Sequence, residues 1–68
     1  MDPLAALLEA VNLSPENVPL RQHLAETLLN AGRGEEAETQ FREALALAPA
    51  NVQLKLGLVR AFAAQKKD

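Results

Sequence analysis

His23 and Glu26 are the residues whose types and spacing come closest to a chemical site. They stand three positions apart, and an imidazole beside a carboxylate could form half of an acid–base or metal-binding pair. The chain has one histidine and no cysteine, so no second imidazole or thiolate completes the set. We therefore interpret His23 as a solvent-facing or groove-lining side chain, and we expect no catalytic residue, no metal site and no cofactor.

Three further patterns have ordinary structural explanations. Ser14 is the only serine, and because Pro15 follows it between two helical segments, a turn or capping role is favoured over nucleophilic catalysis. Residues 32–36, GRGEE, lack both the Lys-Ser/Thr pair and the preceding strand of a phosphate-binding loop, so they predict a hairpin turn. The tripeptide NLS at 12–14 matches a glycosylation acceptor, but no signal peptide accompanies it. We expect the chain not to be an enzyme.

Composition and charge exclude several classes of partner. The 68 residues carry a net charge of −2 with both signs interspersed, so the sequence predicts no basic surface that would bind nucleic acid or an anionic membrane. Two phenylalanines are the only aromatic residues, too few for a base-stacking surface. The apolar runs are too short to span a bilayer, and the lack of cysteine fits a reducing compartment. We expect a cytoplasmic protein whose partner is a protein or peptide.

Apolar residues recur every three or four positions, which predicts helices and no strand. The predicted helices cover residues 3–12, 18–31, 35–47 and 52–65. Asp2 and Asn17 precede the first two as N-caps, and Gly32 ends the second as a left-handed C′ residue. The unit is small, so its stability should be marginal.

The chain repeats itself at a fixed spacing. The segment SPENVPLRQHL, residues 14–24, aligns without a gap with APANVQLKLGL, residues 48–58. The spacing is about 34 residues, room for two helices and two turns, and a period in this range indicates a solenoid of stacked helical hairpins. We call this spacing, which separates residue 14 from residue 48, the repeat period.

The stretch HLAETLLNAGRGEEAETQFREALALAP resembles the tetratricopeptide repeat (TPR) at its small and bulky positions. The matching residues are Ala25, Ala37, Phe41, Ala44 and Pro49. The resemblance implies an all-α fold, a short helical-hairpin solenoid of four antiparallel helices. It divides the single module into a trailing half repeat, a full repeat, a leading half repeat and a tail, at residues 3–13, 18–51, 52–65 and 66–68.

Three positions depart from the family pattern. Arg21 stands where a large apolar residue is usual, Gly34 where an aromatic is common, and Val59 where a small residue is usual. These departures leave the fold prediction intact, and they predict a looser turn at 32–34.

The resemblance also implies a binding surface. In the family, one face of each first helix lines a groove that binds peptides. The positions that match it are Gln22, Glu26, Leu29, Asn30, Leu56 and Arg60, with Pro19, Gln53, Ala63 and Ala64 beside them. Chaperone-binding members clamp a peptide C-terminal carboxylate with lysine and asparagine there. This chain instead has glutamine and glutamate, then leucine and arginine, so that clamp is not present.

A solenoid unit buries its apolar face only against neighbouring units, and each half repeat lacks a partner helix. The last helix has more apolar residues than can face the third helix: Leu54, Leu56, Leu58, Val59 and Phe62. We predict self-association through them, most simply as a two-fold dimer in which the patch meets itself. Exchange of the last helix through the turn at 48–51 is a less favoured alternative.

Two alternatives concern the context of the chain. NVPLRQHLAETLL resembles TPR segments that precede AAA-type ATPase modules in some bacterial proteins, so the chain could be a regulatory N-terminal segment whose catalytic part lies elsewhere. The chain stops where another turn and helix should follow, which favours a fragment. A third alternative, a designed minimal repeat, is disfavoured by the irregular residues Arg21, Gly34 and Val59.

Overall fold

The computed structural model describes residues 2–66, which form four helices with no strand among them. Their bounds are α1 Pro3–Leu13, α2 Val18–Asn30, α3 Gly34–Leu47 and α4 Val52–Gln65. The all-α prediction is confirmed, and each predicted helix end lies within one residue of the observed end. The repeat boundaries within the module stay a prediction, and residues 67 and 68 of the predicted tail lie outside the described residues.

Three side chains define where helices begin. The Oδ1 atoms of Asp2, Asn17 and Asn51 each accept a hydrogen bond from a first-turn backbone N–H, at 3.0, 3.1 and 3.1 Å. Each cap satisfies one otherwise unpaired donor and typically contributes about 1 kcal/mol. The two asparagines stand one repeat period apart, so the sequence period is also a period of helix starts.

Gly32 ends α2 in the manner that the sequence predicts. Its φ is +80°, a left-handed conformation that glycine adopts without the Cβ penalty. The N–H of Arg33 reaches back to the carbonyl of Leu28 at 2.9 Å, and that of Gly32 to Leu29 at 3.1 Å. This is a Schellman arrangement, which turns the chain sharply so that α3 returns alongside α2.

The helices pack in chain order, and α2 additionally contacts α4. Phe41, Leu24 and Leu54 are the largest fully buried side chains. The other buried apolar residues are Val11, Ala25, Leu28, Ala37, Ala44 and Ala61. The alanines provide the close helix–helix approaches that the family resemblance implies, while Phe41 fills the space between them.

Glycine at two positions allows α3 and α4 to approach each other closely. A Cβ on Gly57 would overlap the ring of Phe41, so that ring rests directly on the backbone of α4. A Cβ on Gly34 would lie 3.3 Å from the carbonyl oxygen of Ala61. Gly34 is buried, so the start of α3 is closely packed against α4 and the expectation of a looser turn is wrong at this residue.

Arg21 occupies the position where the family usually has a large apolar side chain, and its own side chain is only 12% exposed. Its guanidinium donates to the carbonyl of Pro15 from Nε at 3.2 Å and from Nη2 at 2.9 Å. It also donates from Nη1 to Gln40 Oε1 at 3.1 Å and forms an ion pair with Glu43. One arginine thus ties the α1–α2 turn to α3 by polar contacts.

A second polar cluster joins α3 to α4. Gln65 Nε2 donates to Glu38 Oε1 at 2.8 Å, and Arg42 Nε donates to Glu38 Oε2 at 2.7 Å. Both bonds favour the charged carboxylate, with that from Gln65 having the larger effect, so the pKa of Glu38 lies below its ordinary value of 4.5. The same Gln65 amide reaches the carbonyl of Ala61 at 3.1 Å.

The lowered pKa of Glu38 predicts a pH dependence of stability. Because the folded-state pKa is below the unfolded-state pKa, the stabilisation is present above pH 4.5 and is lost as pH falls through the folded-state value. Thermal melts from neutral to acidic pH should therefore show a steeper loss for the wild type than for Glu38→Gln. Parallel curves for wild type and Glu38→Gln would contradict the prediction.

Candidate functional site

The first helices of successive repeats, α2 and α4, lie side by side and share polar contacts on their surface. Gln22 Nε2 donates to Glu26 Oε2 one turn along α2, at 3.1 Å, and to Gln53 Oε1 on α4, at 3.3 Å. The Gln22 amide therefore links α2 to α4 in the N-terminal half of each helix. Gln22 Oε1 and Gln53 Nε2 take no part in these two bonds.

A depression of about 260 Å³ lies beside this contact, lined by Glu26, Gln53, Leu56 and Arg60. Leu56 is 53% exposed. Glu26 and Arg60 both lie on its wall, and within residues 2–66 neither takes part in an ion pair. The depression therefore offers an apolar centre, amide groups at one side, and one available charge of each sign. We call this surface the α2–α4 groove.

The structure brings together four of the six groove residues that the family resemblance indicates: Gln22, Glu26, Leu56 and Arg60. Leu29 is half-buried and packs against the core, so most of its apolar surface is already used. Asn30 is the exposed last residue of α2 and does not line the depression. The binding role of all six residues stays a prediction.

A larger depression, about 410 Å³, lies where the α2–α3 turn meets the end of α4. Gly34 and Ala64 line this depression, together with Arg33 and Glu36. Those two charges already form an ion pair with each other at 2.6 Å. The prediction of a turn at residues 32–36 could not reveal this depression, because the depression forms only where α4 packs against Gly34.

The predicted self-association residues divide into two groups. Leu54 is fully buried among the core residues of its own chain, which removes it from any exposed face. Leu58 is half-buried against that core. Leu56, Val59 and Phe62 are exposed, at 53%, 61% and 42%. Only the last three provide substantial apolar surface to a partner.

A charged side chain of α3 lies over the ring of Phe62. The guanidinium carbon of Arg42 lies 5.4 Å from the ring centroid, within the range of a cation–π interaction. Arg42 also donates to Glu38, so its position over the ring is held from α3. Phe62 thus keeps one face covered by its own chain while the remainder stays accessible.

The residues with potential chemistry are not brought into a cluster. His23 is exposed, and its backbone carbonyl accepts a hydrogen bond from Thr27 Oγ1 at 2.8 Å. Ser14 is the C-cap residue of α1, with its backbone N–H bonded to the carbonyls of Ala10 and Val11. No three His, Asp or Glu side chains between residues 2 and 66 converge where a metal ion could bind.

None of the helices within the described range combines the length and apolar character that crossing a membrane requires.

Comparison with known proteins yields one match. The sequence model of a family described as the tetratricopeptide repeat matches residues 18–61, which is more than half of the chain. The match begins at the first residue of α2 and ends within α4, so it includes the residues of both helices that line the α2–α4 groove. Searches of curated proteins and of solved structures return no match.

Proposed function

The chain belongs to the tetratricopeptide-repeat family, and on that basis we propose that it is a non-catalytic interaction module that binds a peptide segment of a partner protein in the α2–α4 groove. TPR repeats generally mediate contacts between proteins, which supports the class of function. The alternative suggested by the sequence, a regulatory segment of a larger AAA-type ATPase, lies beyond what the family match covers and stays a proposal.

The observation that carries the proposal is the exposed Leu56 between two charges that make no ion pair within residues 2–66. A leucine in a shallow depression contributes binding free energy when a ligand side chain removes it from water. Glu26 and Arg60 then select for orientation, because each favours an opposite charge on the ligand and disfavours a like one. The amides of Gln22 and Gln53 can bond to the backbone of an extended segment.

The test is selection of peptides from a displayed random library against the whole chain. Selected peptides should shift the amide NMR signals of Gln22, Glu26, Gln53, Leu56 and Arg60 together. Leu56→Glu should weaken binding at least about tenfold, about 1.4 kcal/mol, because it removes the apolar centre and places a second carboxylate beside Glu26.

Leu47→Glu is the matched control, since Leu47 is a 44% exposed leucine at the end of α3, outside the depression. Its affinity for the selected peptides should equal that of the wild type. Equal losses for Leu56→Glu and Leu47→Glu, or shifts confined to another surface, would exclude the α2–α4 groove as the binding site.

Self-association is a second candidate function, favoured by the exposed apolar residues of α4. Val59 and Phe62 stand one repeat period after Ala25 and Leu28, both of which are buried in α2. The same face of an equivalent helix is therefore covered in one repeat and open in the next. Sedimentation of the chain over a range of concentrations tests this, and a mass that rises with concentration is the expected result.

A further inference from the structure

The α2–α3 hairpin shows how a complete repeat packs in this chain. In this hairpin the face of α2 that carries Leu24, Ala25 and Leu28 is buried. The helix one repeat period later, α4, carries Leu58, Val59 and Phe62 at the same positions. Within residues 2–66, α4 contacts only α2 and the preceding helix α3, so no following helix lies against it as α3 lies against α2.

At the opposite end of the molecule, α1 also has a side that no other helix covers within residues 2–66. By the same shift of one repeat period, α1 is the equivalent of α3, with Leu7 in place of Phe41 and Ala10 in place of Ala44. Among the described helices α1 contacts only α2, which occupies the side that α4 occupies on α3. The side of α1 that corresponds to the α2-facing side of α3 has no partner within residues 2–66. Ala6, the equivalent of the Gln40 that bonds to Arg21, is exposed on it.

We propose that copies of this chain associate head to tail, with α1 of one copy packing on the open face of α4 of the copy before it. The two helices together would complete a TPR hairpin whose first helix comes from one chain and whose second comes from another. This inference deepens the proposed self-association by naming the surface that α4 meets, and it does not depend on the α2–α4 groove.

The charges at the two surfaces are complementary at an equivalent pair. Within the chain, Arg21 of α2 forms an ion pair with Glu43 of α3. The residue one repeat period after Arg21 is Lys55, and the residue one repeat period before Glu43 is Glu9. Head-to-tail packing would therefore place Lys55 of one copy beside Glu9 of the next, repeating the pair that already joins α2 to α3.

The overall charges of the two helices favour the same arrangement over a two-fold one. The charged residues within α4 are Lys55 and Arg60, both basic, and the one charged residue within α1 is the acidic Glu9. An α4–α4 contact, as in a dimer where the patch meets itself, would bring cations together. A contact between α4 and α1 brings opposite charges together, and charge complementarity of this kind selects the partner and the register.

A contact between two different surfaces does not close on itself as a two-fold contact does. Each added copy leaves one open α4 face and one open α1 face, so association should continue beyond the dimer. The wild-type chain should show a mass distribution that extends to trimers and larger species as concentration rises.

The test blocks each surface separately. Val59→Glu places a carboxylate on the open face of α4, and Ala6→Lys places a cation where Lys55 of the neighbouring copy would lie. Both residues are exposed, so the core is untouched. Each variant alone should be monomeric by sedimentation. An equimolar mixture should form a one-to-one heterodimer and nothing larger, since only one productive pair of surfaces remains.

Ala46→Lys, an equally exposed alanine-to-lysine change on α3, is the control and should keep the wild-type mass distribution. The charge-reversal variants Lys55→Glu and Glu9→Lys provide an independent check. Each should weaken its own association about fivefold at low salt, and mixing them should restore it.

Two results would overturn the inference in different ways. If Ala6→Lys still dimerises while Val59→Glu does not, the α4 patch meets itself and the head-to-tail contact is wrong, although self-association stands. If the wild type stays monomeric at high micromolar concentration, both the head-to-tail contact and the proposed self-association fail, and the peptide-binding proposal is unaffected.

Discussion

Replacing Phe41 with alanine is expected to leave the chain largely unfolded at room temperature. Phe41 is fully buried, and it is the largest buried side chain of the core. Truncation of a buried phenylalanine typically costs about 3–5 kcal/mol, because burial is lost and a cavity remains. A domain of this size has a total stability near the low end of the usual range, about 5 kcal/mol. Far-ultraviolet circular dichroism should show most of the helical signal lost.

Phe62→Ala is the matched control, since Phe62 is the only other phenylalanine and is partly exposed. Measured at low concentration, where any association contributes little, it should lose far less stability and retain a cooperative melt. A cooperative transition of Phe41→Ala at nearly the wild-type temperature would show that Phe41 is not the centre of the core.

Gly57→Ala is expected to destabilise the fold even though alanine is the better helix former. In the interior of a helix, glycine to alanine usually gains about 1 kcal/mol. At Gly57 the new Cβ would overlap the buried Phe41 ring, and forced rearrangement of a packed core typically costs about 1–3 kcal/mol or more. Because the ring is fully buried, we expect a net loss, measurable as a lower melting temperature and a lower urea midpoint.

Gly34→Ala is the comparison for the helix-propensity effect. Its added Cβ would meet the flexible Gln65 side chain at 3.1 Å and the Ala61 carbonyl oxygen at 3.3 Å, so a small shift suffices. Phe41→Leu in the Gly57→Ala background should recover part of the loss, since a smaller side chain accommodates the methyl group. Additive effects of Gly57→Ala and Phe41→Leu would contradict direct contact as the cause.

Local features of the chain were predictable because they depend on residues close in sequence. Asn17 caps α2 through a backbone donor three positions away, and Gly32 ends it by adopting a conformation that other residues avoid. Apolar spacing, together with the small residues that match the family, indicated the helices and the repeat, and both are confirmed. The repeat period also placed Glu26 and Arg60 at equivalent positions on α2 and α4.

The groove was predictable in outline and not in detail. Equivalent positions on neighbouring first helices must share a side of the solenoid, so Glu26, Leu56 and Arg60 meet at one depression. Leu29 belongs to the same sequence pattern but is half-buried against the core, which periodicity alone does not reveal. A helical stripe specifies which residues point in similar directions, whereas the neighbouring helices decide how much of each remains exposed.

The sequence by itself determined that this is a helical hairpin repeat with caps, turns and a periodic apolar face. Tertiary structure alone decided that Leu54 lies inside the chain while Val59 stays outside, although both belong to the apolar set of α4. It also decided that Arg21 joins the α1–α2 turn to α3 and that Gly57 receives the Phe41 ring. The physical reason is that helix formation follows from local bonds and propensities, whereas burial and close approach depend on groups that are distant in sequence and meet only in the folded chain.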